Sequence, residues 1–213
     1  MDSKTRIRLQ PDHRFAFLQG FLKSPKQVGS IIPSSRFLER RIVRAAEVAT
    51  ASLVVELGPG TGGTTRALLR ALPPTARLLA IEIDPRFVEL LRRTPDPRLI
   101  VHEGSASEIE SALRQHGLPA PDVILSGIPF STMARSVGEQ ILRSVYDALE
   151  PGGLFVAYQV RDRVESLGRR VFGRAQVQTE ILNMPPMRVY RWQKQSRRAE
   201  FQPDASSASP RLR

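Results

Sequence analysis

The densest chemistry in the sequence is VVELGPGTGGTT, residues 54–65, where an aliphatic run passes without a break into a glycine-rich turn. Glycines at 58, 60 and 62 permit a tight reversal and a close backbone approach to a ligand, because a Cβ would collide with it. Gly58, Gly60 and Gly63 also satisfy the G-x-G-x-x-G spacing of a dinucleotide loop, so the turn alone leaves the ligand open. Glu56 narrows the choice. A carboxylate at the strand end sits badly beside a pyrophosphate and well beside a cationic amino-acid group. A second carboxylate, Glu82, closes the next aliphatic run, where it can accept from both hydroxyls of a ribose. Asp84 is a weaker rival for that role.

These residues need a scaffold that brings strand ends together. Aliphatic runs at 53–57, 77–83, 98–103, 122–127 and 153–160 alternate with helix-period segments, which predicts parallel strands joined by crossover helices. The clearest helix runs from Thr132 to Leu149 and stops at EPGG. GRAQVQTEIL and MRVYRWQ read as a terminal hairpin around NMPP, giving an α/β, doubly wound, seven-stranded and mostly parallel sheet.

Ahead of it, residues 1–50 read as a helical extension. His13 to Lys23 places Phe15, Phe17, Leu18, Phe21 and Leu22 on one arc of a helix. SSRFLERRIVRAAEVA forms a second helix with Ser34 or Ser35 as its N-cap. Residues 51–195 form the catalytic domain, and 196–213, almost without aliphatic side chains, a disordered tail.

Composition bounds the partners. The 213 residues contain no cysteine, which excludes a disulfide scaffold, a thiolate metal site and a cysteine nucleophile. The three histidines lack metal-ligand spacing, so no metal is expected. A formal charge of +11 predicts an anionic partner, nucleic acid or membrane. The charge is uneven: residues 1–50 carry +6, 51–150 carry −2 and 151–213 carry +7. No apolar stretch approaches the roughly 18 residues of a membrane span, and the N-terminus has no signal-peptide core, which predicts a cytosolic chain.

ELGPGTGG, then Glu82 in AIEID, GSASEI after the third strand and LEPGG before the fifth together resemble the class I S-adenosylmethionine-dependent methyltransferases. The resemblance implies S-adenosylmethionine as cofactor, held by Glu56, Gly58, Gly60, Thr61, Gly62, Glu82, Ile83, Ser105, Ala106 and Ser126. It also implies that Glu82→Ala weakens cofactor binding and spares the fold.

FLKSPKQVGSIIPSS, LSGIPFS and NMPPMRVYRWQ narrow the likeness to the bacterial phospholipid N-methyltransferases, which methylate the amine of phosphatidylethanolamine toward phosphatidylcholine. The related rRNA adenine dimethylases carry an Asn-aliphatic-Pro-aromatic motif after the fourth strand. The matching residues here are Gly127, Ile128, Pro129 and Phe130, so no asparagine amide is offered to adenine N6. This favours a phospholipid acceptor over RNA adenine.

The acceptor amine must reach the methyl group in line and uncharged, and no committed general base is evident. Tyr158 and Tyr190 are the polar aromatics for that task. Phe130, with Tyr158, Tyr190 and Trp192, can surround a methylated ammonium. Lys26, Arg188 and Arg191 suit a lipid phosphate. Ser30, Ser34 and Gly127 lie where headgroup or cofactor is expected. The Phe-rich helix, with Arg14 and neighbouring cations, can lie in the headgroup plane and double as a lid, which predicts a peripheral enzyme on the cytoplasmic face.

Overall fold

Runs of aliphatic residues long enough for a strand, and apolar at every position, must be covered on both faces. In the computed structural model, which describes residues 35–196, these runs form the centre of one sheet. Its strands are β1 Leu53–Leu57, β2 Arg77–Glu82, β3 Leu99–Glu103, β4 Val123–Ser126, β5 Leu154–Gln159, β6 Gln176–Glu180 and β7 Met187–Gln193. All residues of β1 and β4 are buried, whereas β3 and β6, at the two edges, are largely half-buried or exposed.

The strand order is β3-β2-β1-β4-β5-β7-β6. Pairs among β1 to β5 are parallel, and β7 runs antiparallel to both β5 and β6. The chain winds outward from β1 in one direction through β2 and β3, then crosses back to β4. That reversal opens a crevice at the C-terminal ends of β1 and β4, the switch point where ligands of open α/β sheets bind. The expected doubly wound, seven-stranded, mostly parallel fold is therefore present.

The helices among the described residues are α1 Arg36–Ala45, α2 Gly63–Ala71, α3 Pro85–Arg92, α4 Ile109–Gln115, α5 Arg135–Ala148 and α6 Arg163–Phe172. One apolar cluster joins Val55, Leu57 and Phe155 to Ile141 and Val145 of α5. The other joins Val54, Leu68 and Val156 to Leu38 and Ile42 of α1. Residues 36–48, grouped by sequence with the N-terminal extension, thus share the core of the sheet.

Ser35, not Ser34, caps α1, its side chain accepting from the Leu38 amide at 3.2 Å. The helix expected from Thr132 begins at Arg135. A separate 3-10 turn, Phe130–Thr132, is closed by the Thr132 hydroxyl donating to the Pro129 carbonyl, and Met133 is extended. The expected helix at 13–23 and the tail from 197 onward lie outside the described residues.

Candidate functional site

The crevice is built on the loop between β1 and α2. Gly58, Gly60 and Gly62 adopt φ of +68°, +56° and +77°, and Gly62 is the N-cap of α2. A Cβ on Gly60 would meet nothing within 4 Å, so the glycine there serves the backbone conformation and leaves open space above the loop. Thr61 is exposed on the same turn.

Glu82 ties this loop to the end of β2. Its Oε2 accepts from the Gly60 amide at 3.0 Å, and Oε1 accepts from the amides of Ile83 and Asp84 at 2.8 and 2.9 Å. Burial pushes its carboxyl above the ordinary range, against the lowering effect of these three bonds. Asp84, the rival, is committed elsewhere: it caps α3 through the Arg86 amide and pairs with the Arg86 guanidinium at 2.6 Å, which lowers its pKa.

Glu56 is wholly buried on the sheet face under α2. Its Oε2 accepts from the Thr65 hydroxyl at 2.7 Å, and its Oε1 has no hydrogen-bond partner. Burial, opposed by the Thr65 bond, pushes its pKa up to about 7. A buried carboxylate oxygen without a partner is costly, and a cationic ligand group relieves the cost. With the glycine loop and Glu82, it makes a donor and acceptor set that fits the amino-acid and ribose portions of S-adenosylmethionine.

Two more strand ends complete the crevice. After β3, Ser105 and Glu108 form a capping box around the 3-10 turn Ala106–Glu108. At the end of β4, Ser126 is buried and its hydroxyl accepts from the Ile128 amide at 3.3 Å. Gly127 donates its amide to the Leu57 carbonyl at 3.1 Å, locking this turn to the glycine loop.

Gly127 lies against Tyr158 of β5. A Cβ at 127 would stand 2.9 Å from Tyr158 Cζ and closer still to its hydroxyl oxygen. That oxygen is 3.2 Å from the Thr64 hydroxyl, and burial and the nearby Glu56 charge raise its pKa further above the ordinary tyrosine value. Tyr158 is therefore held as a neutral hydroxyl. Gln159, which sequence reasoning missed, donates from Nε2 to the Ile128 carbonyl at 2.6 Å and supports the same turn from below. Its signal was a polar residue ending an otherwise apolar strand.

The other expected aromatics are buried. Phe130 is fully buried beside Met133, Leu167 and Gly138. Tyr190 stacks on Trp192, which stacks on Phe155 and donates its indole N–H to the Gly173 carbonyl at 3.1 Å. These rings fill the core behind β5 and β7, where their apolar area is best used. The Tyr190 hydroxyl is buried without a hydrogen-bond partner.

Arg188 is exposed, 4.0 Å from Asp162, and Arg191 pairs with Glu47 on the opposite face of β7. Lys26, Ser30, Ser34, Arg14, Phe15, Phe17, Leu18, Phe21 and Leu22 lie outside the described residues. No group of three or more potential metal ligands occurs among the described residues. His102 and His116 contact each other at 3.3 Å near the sheet edge.

Comparison with known proteins agrees with this geometry. Residues 54–153 match the family model described as "Methyltransferase domain". The chain is 32% identical over 179 residues to an ornithine lipid N-methyltransferase of Singulisphaera acidiphila, covering 83% of this chain and 93% of that protein. It is 34% identical over 146 residues to ribosomal RNA small subunit methyltransferase A of Phenylobacterium zucineum, covering 66% of this chain and 48% of that protein, about half its length. Among solved structures, human N-acetylserotonin methyltransferase in complex with S-adenosylmethionine shares the fold with a TM-score of 0.58 at 14% identity, over 86% of this chain and 56% of that one.

Proposed function

The chain belongs to the class I S-adenosylmethionine-dependent methyltransferases, and from that premise we propose that it methylates the amine of phosphatidylethanolamine, and of its mono- and dimethylated forms, toward phosphatidylcholine at the membrane surface. The observation that carries this reading is the pairing of Gly127 with Tyr158. Where adenine dimethylases hold an asparagine amide for a planar exocyclic amine, the corresponding volume here is taken up by a tyrosine hydroxyl. A flexible primary amine needs no such planar clamp.

S-adenosylmethionine supplies a methyl group already activated on a sulfonium centre. Glu56 would face its ammonium, Glu82 its ribose, and the amides of the glycine loop would close around the chain between them. The residues of the protein have mainly to hold the acceptor amine in line and exclude water. Entry of the ammonium into a dry crevice lowers its pKa, so its proton is lost to water on the way in. The neutral Tyr158 hydroxyl, fixed by Thr64, can then accept from an N–H of the primary or monomethylated amine and orient its lone pair; the dimethylated amine, which has no N–H, is held by packing alone.

The basic and Phe-rich pattern of residues 13–23 and the +11 charge support work at an anionic leaflet, with the enzyme attached peripherally on the cytoplasmic face. The likeness to an ornithine lipid N-methyltransferase supports a lipid amine acceptor in general, and it favours the amine of ornithine lipid as a second reading. Mass spectrometry of mixed vesicles containing both lipids, after incubation with enzyme and S-adenosylmethionine, separates the two. Methyl increments on phosphatidylethanolamine are expected. Increments on ornithine lipid alone would shift the assignment to the second reading, and unmodified lipids would overturn both.

A further inference from the structure

The turn joining β6 to β7 is built inside out. Its polar side chains, Glu180 and Asn183, are 4% and 6% exposed, while Ile181, Leu182 and Met184 are 74%, 59% and 85% exposed. The polar groups hold the turn to the rest of the fold. Glu180 accepts from Arg41 of α1 at 2.8 Å and from the Leu182 amide at 3.0 Å. Asn183 accepts from the Ser35 amide and donates to the Pro185 carbonyl, both at 2.9 Å. A surface turn ordinarily shows the reverse, with polar side chains in water. Here three large apolar side chains are held outward by a satisfied polar network, which marks a surface for an apolar partner.

Position and charge identify the partner. Gln159 pairs with Arg188 and Glu180 with Met187, so the turn projects from the sheet edge that carries the C-terminal end of β5 and the glycine loop. Arg161 and Arg188, both exposed, lie at the same end of the sheet, with the Asp162 carboxylate 4.0 Å from Arg188. Apolar side chains at a sheet end that also carries exposed arginines suit the boundary between acyl chains and anionic headgroups.

We propose that the β6–β7 turn, through Ile181, Leu182 and Met184, inserts into the bilayer interface and sets the mouth of the crevice against the membrane. The choice of a lipid surface as partner rests on the lipid-amine reading above. The turn is distant in sequence from the Phe-rich segment at residues 13–23.

The absence of cysteine allows a direct test. The full chain carrying Met184→Cys is labelled with a polarity-sensitive fluorophore and mixed with vesicles of phosphatidylethanolamine and phosphatidylglycerol. Thr75→Cys, exposed at the opposite edge of the sheet before β2, is the control. A blue shift at position 184, quenched by brominated acyl chains, with no change at 75, is expected. A label at 184 that stays in water while the protein sediments with vesicles overturns the proposal. So does a label already shielded before vesicles are added, which would mean that another part of the protein, or a second copy, covers the turn.

A triple variant, Ile181→Ser, Leu182→Ser and Met184→Ser, is expected to lose about tenfold or more in vesicle affinity and to keep its affinity for S-adenosylmethionine; unchanged vesicle affinity overturns the proposal. Insertion is read whether or not lipid is methylated. Insertion without lipid product would therefore sink the functional reading alone, and product without insertion would sink this inference alone.

Discussion

The ring and hydroxyl of Tyr158 occupy the space that any side chain at Gly127 would need, with a Cβ there only 2.9 Å from Tyr158 Cζ. The two residues lie at the ends of adjacent strands, β5 and β4, and the tyrosine is held by Thr64 from the first turn of α2. Glycine at 127 is thus more than a missing asparagine. It is the condition for bringing a neutral hydroxyl into the crevice beside Glu56.

Gly127→Ala is expected to destabilise the fold by about 1–3 kcal/mol through overpacking. Adding Tyr158→Leu should return part of that loss. Thermal melts of both single variants and the double variant give a coupling of about 0.5–3 kcal/mol if the contact is real. Strictly additive losses would mean that the two side chains do not compete for one volume.

Tyr158→Phe keeps the ring and removes only the hydroxyl. Because that hydroxyl stays neutral across the working range, its loss is expected to lower kcat/KM by about tenfold, one hydrogen bond's worth, with the shape of the pH profile unchanged. Displacement of the alkaline limb would instead identify the tyrosine as a base.

Glu56 is expected to couple pH to both stability and cofactor binding. Its folded pKa of about 7 lies above the ordinary 4.5, so the folded state holds an extra proton between those values, and stability falls as pH rises through that window. Glu56→Gln removes this penalty. The variant should melt above the wild type at pH 8, by about 3 kcal/mol, and match it below pH 4.5. Calorimetry should show the opposite for the ligand: much weaker S-adenosylmethionine binding in the variant, and wild-type binding that weakens below pH 7 because the carboxyl must ionise to meet a cation.

Glu82→Ala should weaken cofactor binding and also lower the melting temperature. Sequence reasoning expected the fold to be spared. The three backbone amides that Glu82 satisfies, those of Gly60, Ile83 and Asp84, lose their acceptor in the variant, at a cost of about 1–3 kcal/mol if they remain shielded from water. A melting curve identical to the wild type would contradict that role.

Much of this was legible before any coordinates. The apolar runs that become β1 to β5, the glycine loop and the paired acids Glu56 and Glu82 are local patterns with local causes, and the sheet forms them as read. What sequence hid was direction. Phe130, Tyr190 and Trp192 sit in motif-like positions but turn into the core, because a ring gains more there than at a wet crevice. Conversely, the closeness of Tyr158 to Gly127, 31 residues apart in the chain, arises only from strand order. The inverted turn at 181–184 was equally hidden, since its polar residues face inward only because Ser35 and Arg41 of the N-terminal helix lie beneath them.

The central claim is that the acceptor is the amine of a membrane phospholipid. Its most direct test is to offer the purified chain methyl-labelled S-adenosylmethionine together with phosphatidylethanolamine vesicles and small-subunit ribosomal RNA in one reaction, then to separate lipid from RNA and count the label in each. Label in the lipid fraction, comigrating with methylated phosphatidylethanolamine, is the predicted result. Label confined to the RNA would contradict it.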